Sequence, residues 1–213
     1  MLFTDKMKKI IFYSTLLSFF IVTDSAISNS LSPSIIWRIP LGTKNRGDFS
    51  SIKWEKDAKF MSPRIGGHLH TGIDLMKYNR NSEAKVYAAS NGRVVSIYAT
   101  EPNRSLMVMH KLETGEIIYS VYVHITDIQV SIGEIVDCNT IVGRLMNAEQ
   151  LNKYGWEFNH IHFEILKSKP RIEDPGKYLS YSVLCKTPKE VDAHFYNPVT
   201  FFQKMWKIES ARK

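Results

Sequence analysis

A mostly β fold, antiparallel and with short peripheral helices, is what this sequence predicts, and three observations predict it. From Phe60 onward the chain breaks into short runs rich in β-branched and aromatic residues. Turn signals separate those runs at close spacing, among them Asn91-Gly92 and Glu113-Thr-Gly115. In His160-Ile-His-Phe-Glu-Ile165 polar and apolar residues alternate without a break, which is the period of a strand. With 213 residues, 44% hydrophobic and 12% aromatic, the chain can bury one domain core, and general disorder is excluded. Only 11 Gly and 8 Pro exclude a collagen-like or low-complexity chain.

Residues 1–28 have the form of a secretory signal peptide. Lys6, Lys8 and Lys9 precede the apolar run from Ile10 to Val22, and small polar residues follow from Thr23 to Ser30. Thirteen residues rise about 20 Å as a helix, short of the roughly 30 Å hydrocarbon core. A cut after Ser28 puts Ala26 and Ser28 at the small-residue positions, a better fit than a cut after Ser25 or Ala26. An uncleaved anchor is the alternative. No later segment is apolar enough to span a membrane. Removing residues 1–28 takes three Lys and two Asp and leaves a charge of +6, which suits an anionic surface. No Arg-rich stripe interleaved with aromatics is present, so nucleic acid is not the expected partner. In an oxidising compartment Cys138 and Cys185 either pair or stay as two buried thiols, and the sequence leaves both open.

Residues 29–59, with Trp37 and Trp54, read as a lead-in packed along the domain. The strands then follow in order: Lys85–Ser90, a hairpin turn at Asn91-Gly92, Arg93–Tyr98, Ser105–His110, the turn at Glu113–Gly115 and Ile117–Ile125. Gly133 and Gly143 bracket a further turn with flanking strands, and residues 146–156 and 188–208 are candidates for short helices.

The seven histidines are concentrated rather than scattered. On a strand, His160, His162 and Glu164 share one face while Ile161, Phe163 and Ile165 share the other. Two imidazoles side by side on such a strand cost desolvation unless something uses them, and a zinc ion does. In His68-Leu-His-Thr-Gly-Ile-Asp74 the offsets put His68, His70 and Asp74 on one side of an extended chain. One imidazole and one carboxylate from here plus one imidazole from the His160 strand make three ligands, with a fourth position open for water, as in catalytic zinc sites. Tyr122 and His124 oppose Val121, Val123 and Ile125 in a third segment.

His70-Thr-Gly-Ile-Asp74, Val86–Val94, Tyr122-Val-His-Ile125 and His160-Ile-His-Phe-Glu-Ile165 together resemble the LytM/lysostaphin-type M23 zinc metallopeptidases. The resemblance covers about Phe60 to Leu166, so the chain divides into signal peptide, lead-in 29–59, peptidase domain 60–166 and a C-terminal extension 167–213. It implies an antiparallel β-sheet, a barrel–sandwich hybrid with a groove. It also implies a zinc endopeptidase cutting the stem and cross-bridge peptides of peptidoglycan; with the signal peptide of residues 1–28, the expectation is an exported monomer of the periplasm or cell envelope, or a secreted one. Carried over residue by residue, His70, Asp74 and His162 would hold Zn2+, and His160 and His124 would be catalytic. Sequence does not settle which imidazole does what; His160 is preferred as the base, with His124 donating to the developing oxyanion.

Two other functions compete: an idle wall-binding or amidase-activating module on the same fold, and a histidine phosphocarrier. Family members of the first kind usually lose ligands, and none is lost here. A phosphocarrier has cytoplasmic partners and no use for Asp74 in ligand position. Departures from the family lie in Arg144–Asn159, which carries Leu151, Tyr154, Trp156 and Phe158 where a short Gly-rich link is usual, in Tyr78–Ala84, and in residues 167–196. Tyr154 and Trp156 read as groove residues gripping substrate or, more simply, as aromatics anchoring the loop.

Overall fold

The structure, a computed structural model, describes residues 30–41, 49, 58–77, 83–157, 159–169 and 185–212. The signal-peptide segment, Trp54, Phe158 and most of the Tyr78–Ala84 connection lie outside the described residues. Among the described residues, ten strands build two antiparallel sheets. The larger one runs β1 (Ile73–Lys77), β9 (Asn159–Leu166), β5 (Ile117–Val123), β4 (Ser105–Lys111), β3 (Gly92–Tyr98) and β7 (Ile135–Val136), with β10 (Phe195–Tyr196) continuing the β1 edge of β9. The smaller one has the order β2 (Lys85–Tyr87), β8 (Ile141–Leu145) and β6 (Ile125–Thr126). The antiparallel class expected from the alternation is therefore what forms, and the two sheets do not close into a barrel.

The large sheet buries both faces. Ile161, Phe163 and Ile165 of β9 point into the main core with Tyr122, Trp37, Phe201 and Phe202. The last two come from α3 (Pro198–Ser210), capped by the Asn197 side chain, which accepts from the Val199 N–H. Trp37 shows how the lead-in belongs to the fold: it is 1% exposed, meets Phe201 edge-on at 4.9 Å, and its carbonyl accepts from the Trp206 indole. The opposite face of β9 carries Leu166 under Leu31, Cys185, Val191 and Phe195, the last three from the segment holding α2 (Pro188–His194). Beyond that cover the same face carries His160 and His162, both half-buried. Cys138 and Cys185 are both buried thiols that are not joined by a disulfide, the second of the two alternatives.

Two expectations are corrected. Asn91-Gly92 is not a hairpin turn, because β2 pairs with β8 and β3 pairs with β4 and β7, so the step is a corner between sheets. Its geometry is set by neighbours rather than by turn chemistry. The Asn91 amide donates to the Pro33 carbonyl, and a Cβ on Gly92 would stand 2.4 Å from the Met109 carbonyl oxygen. Tyr122 does not share a face with His124. It lies in the core, where its hydroxyl accepts from the Ala89 N–H and meets that of Ser120 at 3.0 Å.

His110 extends that buried network. Its Nδ1–H donates to the Asn91 carbonyl at 2.8 Å and Nε2 meets Ser120 Oγ at 2.7 Å. Burial pushes His110 down to about 4, against the Asn91 hydrogen bond. Between pH 6.5 and about 4 the unfolded chain therefore takes up a proton that the folded chain refuses, so stability falls as pH falls through that window. The expected loss is roughly 3 kcal/mol. Denaturant melts of chelator-treated protein across that range check it, with His110→Gln expected to flatten the slope.

Candidate metal centre and catalytic cleft

The site forms where β1 and β9 run side by side. Their register sets Asp74 opposite His162 and Ile73 opposite Phe163, so the acid and the imidazole face the same way by strand periodicity alone. Such close pairing requires Gly72, where a Cβ would lie 2.3 Å from the Phe163 carbonyl oxygen. His70 enters just before β1 and is held by a bridge in which its N–H donates to the Ser62 carbonyl and its carbonyl accepts from the Met61 N–H.

Three ligand-type atoms converge there. His70 Nε2 lies 2.8 Å from His162 Nδ1 and 3.2 Å from Asp74 Oδ1, and His162 Nδ1 lies 3.1 Å from Asp74 Oδ1. Among the described residues this is the group of His, Cys, Asp and Glu side chains able to share an ion. All three are shielded, at 2%, 6% and 14% side-chain exposure for His70, Asp74 and His162.

The far side of each ligand is fixed as well. His70 Nδ1–H donates to the Lys59 carbonyl at 2.9 Å, and His162 Nε2–H donates to Glu164 Oε1 at 2.9 Å. Neutral imidazole carries one N–H, so both lone pairs are turned toward each other and toward Asp74. Glu164 is fully buried and also accepts from the Thr71 hydroxyl at 2.6 Å, which places its carboxylate to hold the His162 ring. Arg64 donates to Asp74 Oδ2 at 2.5 Å, leaving Oδ1 for the cluster.

Three acceptors this close repel unless a cation joins them, either a metal ion or a proton on His162 Nδ1 shared with Asp74. Burial opposes charge on His162, but hydrogen bonds to Asp74 and Glu164 outweigh it and raise the ring to about 9. Burial would raise Asp74, yet His162 and His70 hold its carboxyl well below the usual range. Burial lowers His70. The site is thus built to hold positive charge. Zinc fits it, because bonds of about 2.0–2.1 Å in a tetrahedron imply ligand–ligand edges of roughly 3.3 Å, near the observed spacings.

His124 and His160 flank this cluster. Their ring centroids are 4.9 Å apart, and His124 is 6.4 Å from His162. His124 follows β5 with φ +67°, and this turns its ring out of the core face that Tyr122 occupies and toward the site. A non-glycine residue in that region stores of order 1–3 kcal/mol of strain, a cost the surrounding contacts must hold. Its Nδ1–H donates to the Pro102 carbonyl at 2.9 Å, and its N–H donates to the Arg104 carbonyl at 3.0 Å. Burial, with His160 beside it, pushes His124 down to about 3 despite the Pro102 contact.

All five residues singled out in the sequence are therefore brought together. His68 lies outside the metal-type group, His110 is in the core, and His194 lies beyond β9 on α2. Lys59, Arg64 and Thr71 were not foreseen. A backbone carbonyl leaves no trace in sequence, whereas Thr71 and Arg64 are polar neighbours of the His70–Asp74 run that could have drawn attention.

A sequence profile described as Peptidase family M23 matches residues 68–174. Among solved structures, the catalytic domain of the antimicrobial peptidase lysostaphin from Staphylococcus simulans is similar at 17% identity and a TM-score of 0.47, covering 70% of this chain and 92% of that one. LytU is similar at 19% identity and a TM-score of 0.47, covering 76% of this chain and 92% of that one. A zinc containing peptidase from Vibrio cholerae is similar at 18% identity and a TM-score of 0.39, covering 62% of this chain and 37% of that one. No curated protein matches the chain. No helix among the described residues is long and apolar enough to cross a membrane.

Proposed function

We propose that this chain, which belongs to peptidase family M23, is an exported zinc-dependent endopeptidase that hydrolyses peptide cross-links of peptidoglycan. The observation that carries the reading is the pair of fixed tautomers: Lys59 and Glu164 hold the N–H groups of His70 and His162 outward, leaving two lone pairs and Asp74 Oδ1 aimed at one point. His70, Asp74 and His162 would hold the ion. When bound, zinc acidifies a water and polarises a carbonyl oxygen.

The rest of the chemistry falls to the protein. Because the Pro102 carbonyl takes the Nδ1–H of His124, the Nε2 of that ring carries a lone pair and accepts. This favours His124 as the acceptor of the attacking water's proton, with His160 donating to the carbonyl oxygen, in place of the preference drawn from sequence. Burial keeps His124 neutral through the neutral range, and so a weak proton acceptor in the resting site. Its cationic form becomes favourable only as negative charge develops beside it. Collapse of the adduct then breaks the C–N bond, and the proton passes to the leaving amine.

His124→Ala and His160→Ala should each retain one zinc per chain while losing about 100- to 10,000-fold in kcat. Metal analysis alongside release of soluble fragments from purified peptidoglycan checks this. A zinc-loaded wild type that releases nothing from any peptidoglycan type would move the chain to the idle, wall-binding members of the fold. Export rests on residues 1–28, and N-terminal sequencing of the mature protein tests it.

A further inference from the structure

The segment between β8 and β9 is one of the departures from the expected family pattern, and its described residues are folded rather than loose. Asn147 and Gln150 form a capping box at the start of α1 (Ala148–Lys153), and Leu151 is buried beneath it. Gly155, at φ +68°, turns the chain so that the Trp156 N–H donates to the Leu151 carbonyl at 2.9 Å. Three contacts leave this segment for the cleft, the third being an exposed Lys153–Glu101 pair at 3.9 Å.

The first is Trp156. Its half-buried indole stacks on His160 at 5.5 Å and 27°, and stands edge-on to His124 at 4.6 Å and 88°. One side chain thus touches both catalytic candidates, in two different orientations. The second is Tyr154, whose hydroxyl donates to Glu101 Oε2 at 2.6 Å. Arg104 also pairs with Glu101, at 3.4 Å. Glu101 precedes Pro102, whose carbonyl holds His124 Nδ1, and the Arg104 carbonyl holds the His124 N–H. Both hydrogen bonds described for His124, one at its ring and one at its backbone, therefore run to the 101–104 loop, while Trp156 and His160 meet the ring itself.

We propose that the inserted segment is a clamp and that Trp156 is a positioning residue, holding the His124 and His160 rings in their reactive orientations while Tyr154 secures the Pro102 loop from the other side. The clamp explains how His124 keeps a left-handed backbone and an outward ring at once. It rests on the peptidase reading for its kinetic consequences but not for its geometry. A ring displaced by about 1 Å can cost about 100-fold in rate without weakening substrate binding.

The test uses zinc-loaded full chain in four forms: wild type, Trp156→Ala, Trp156→Phe and Tyr154→Phe. Cleavage of soluble cross-linked muropeptides, zinc content and the imidazole 1H–15N spectra are measured on each. Trp156→Ala should lower kcat about 10- to 100-fold, with KM within about twofold and one zinc per chain. Trp156→Phe should restore most of the rate, and Tyr154→Phe should show a smaller loss of the same kind. The His124 and His160 ring signals should shift or broaden in Trp156→Ala. An unchanged kcat, or a raised KM with kcat intact, overturns the proposal, the latter marking Trp156 as a substrate surface instead. If Trp156→Ala does not fold, Tyr154→Phe decides: unchanged kcat with unchanged His124 signals overturns the clamp. A wild type without activity defeats the peptidase reading, yet the ring spectra still decide the clamp, since imidazole signals indifferent to Trp156 overturn it.

Discussion

Asp74→Ala is expected to remove zinc and abolish cleavage. An apparent zinc-binding free energy of about 10–16 kcal/mol shared over three or four ligands assigns each on the order of 3–4 kcal/mol, or about 100- to 1,000-fold in affinity. The loss here is larger than a generic ligand's share. Asp74 Oδ2 also accepts from Arg64, so its removal leaves an uncompensated guanidinium beside the site, and that charge repels a divalent cation. Asp74→Asn separates the two effects, because it keeps an oxygen in place while losing the charge. Zinc titration of purified protein followed by competition with a chelator measures both variants. Asp74→Asn should fall between wild type and Asp74→Ala.

Gly72→Ala should damage the same site without altering any ligand. The added Cβ would lie 2.3 Å from the Phe163 carbonyl oxygen and 3.0 Å from Glu164 Cγ. The first of these is backbone in the middle of β9 and cannot swing aside. Relief comes from moving β1 away from β9, which separates His70 and Asp74 from His162. Overpacking of this kind costs about 1–3 kcal/mol, and a backbone clash lies at the upper end. For a chain of this size that corresponds to a fall in Tm of about 5–10 °C, with zinc affinity reduced about tenfold or more as the ligand triangle opens. Thermal melts with zinc and with chelator should therefore differ less in Gly72→Ala than in wild type. Gly115→Ala is the control: it also adds a methyl, at a turn with φ +85° and open space, and should leave zinc affinity unchanged.

The metal group was legible in the sequence because it obeys strand periodicity. Alternation in His160–Ile165 separates ligand face from core face, and the offset between His70 and Asp74 survives in extended chain, so antiparallel pairing of β1 with β9 completes the triangle. Features that break periodicity were misread. Extending the β5 alternation put His124 with Tyr122, whereas a positive φ at residue 124 reverses the outcome. Asn91-Gly92 carries a hairpin signature, but the pull of Pro33, His110 and Met109 makes it a corner. Long-range contacts were the other blind spot. Neither the Lys59 carbonyl under His70 nor the Glu101–Tyr154 link beneath the Pro102 loop leaves a local pattern, and their sequence separations of 11 and 53 hide them.

The proposed function requires one divalent ion held by two imidazoles and a carboxylate. Zinc K-edge X-ray absorption on the zinc-loaded protein, with metal analysis of the same sample, tests it most directly. One zinc per chain with nitrogen and oxygen neighbours at about 2.0–2.1 Å, lost in Asp74→Ala, is the predicted result. Zinc bound through sulfur at about 2.3 Å, or a chain that takes up no zinc when it is offered in excess, would rule out this ligand set.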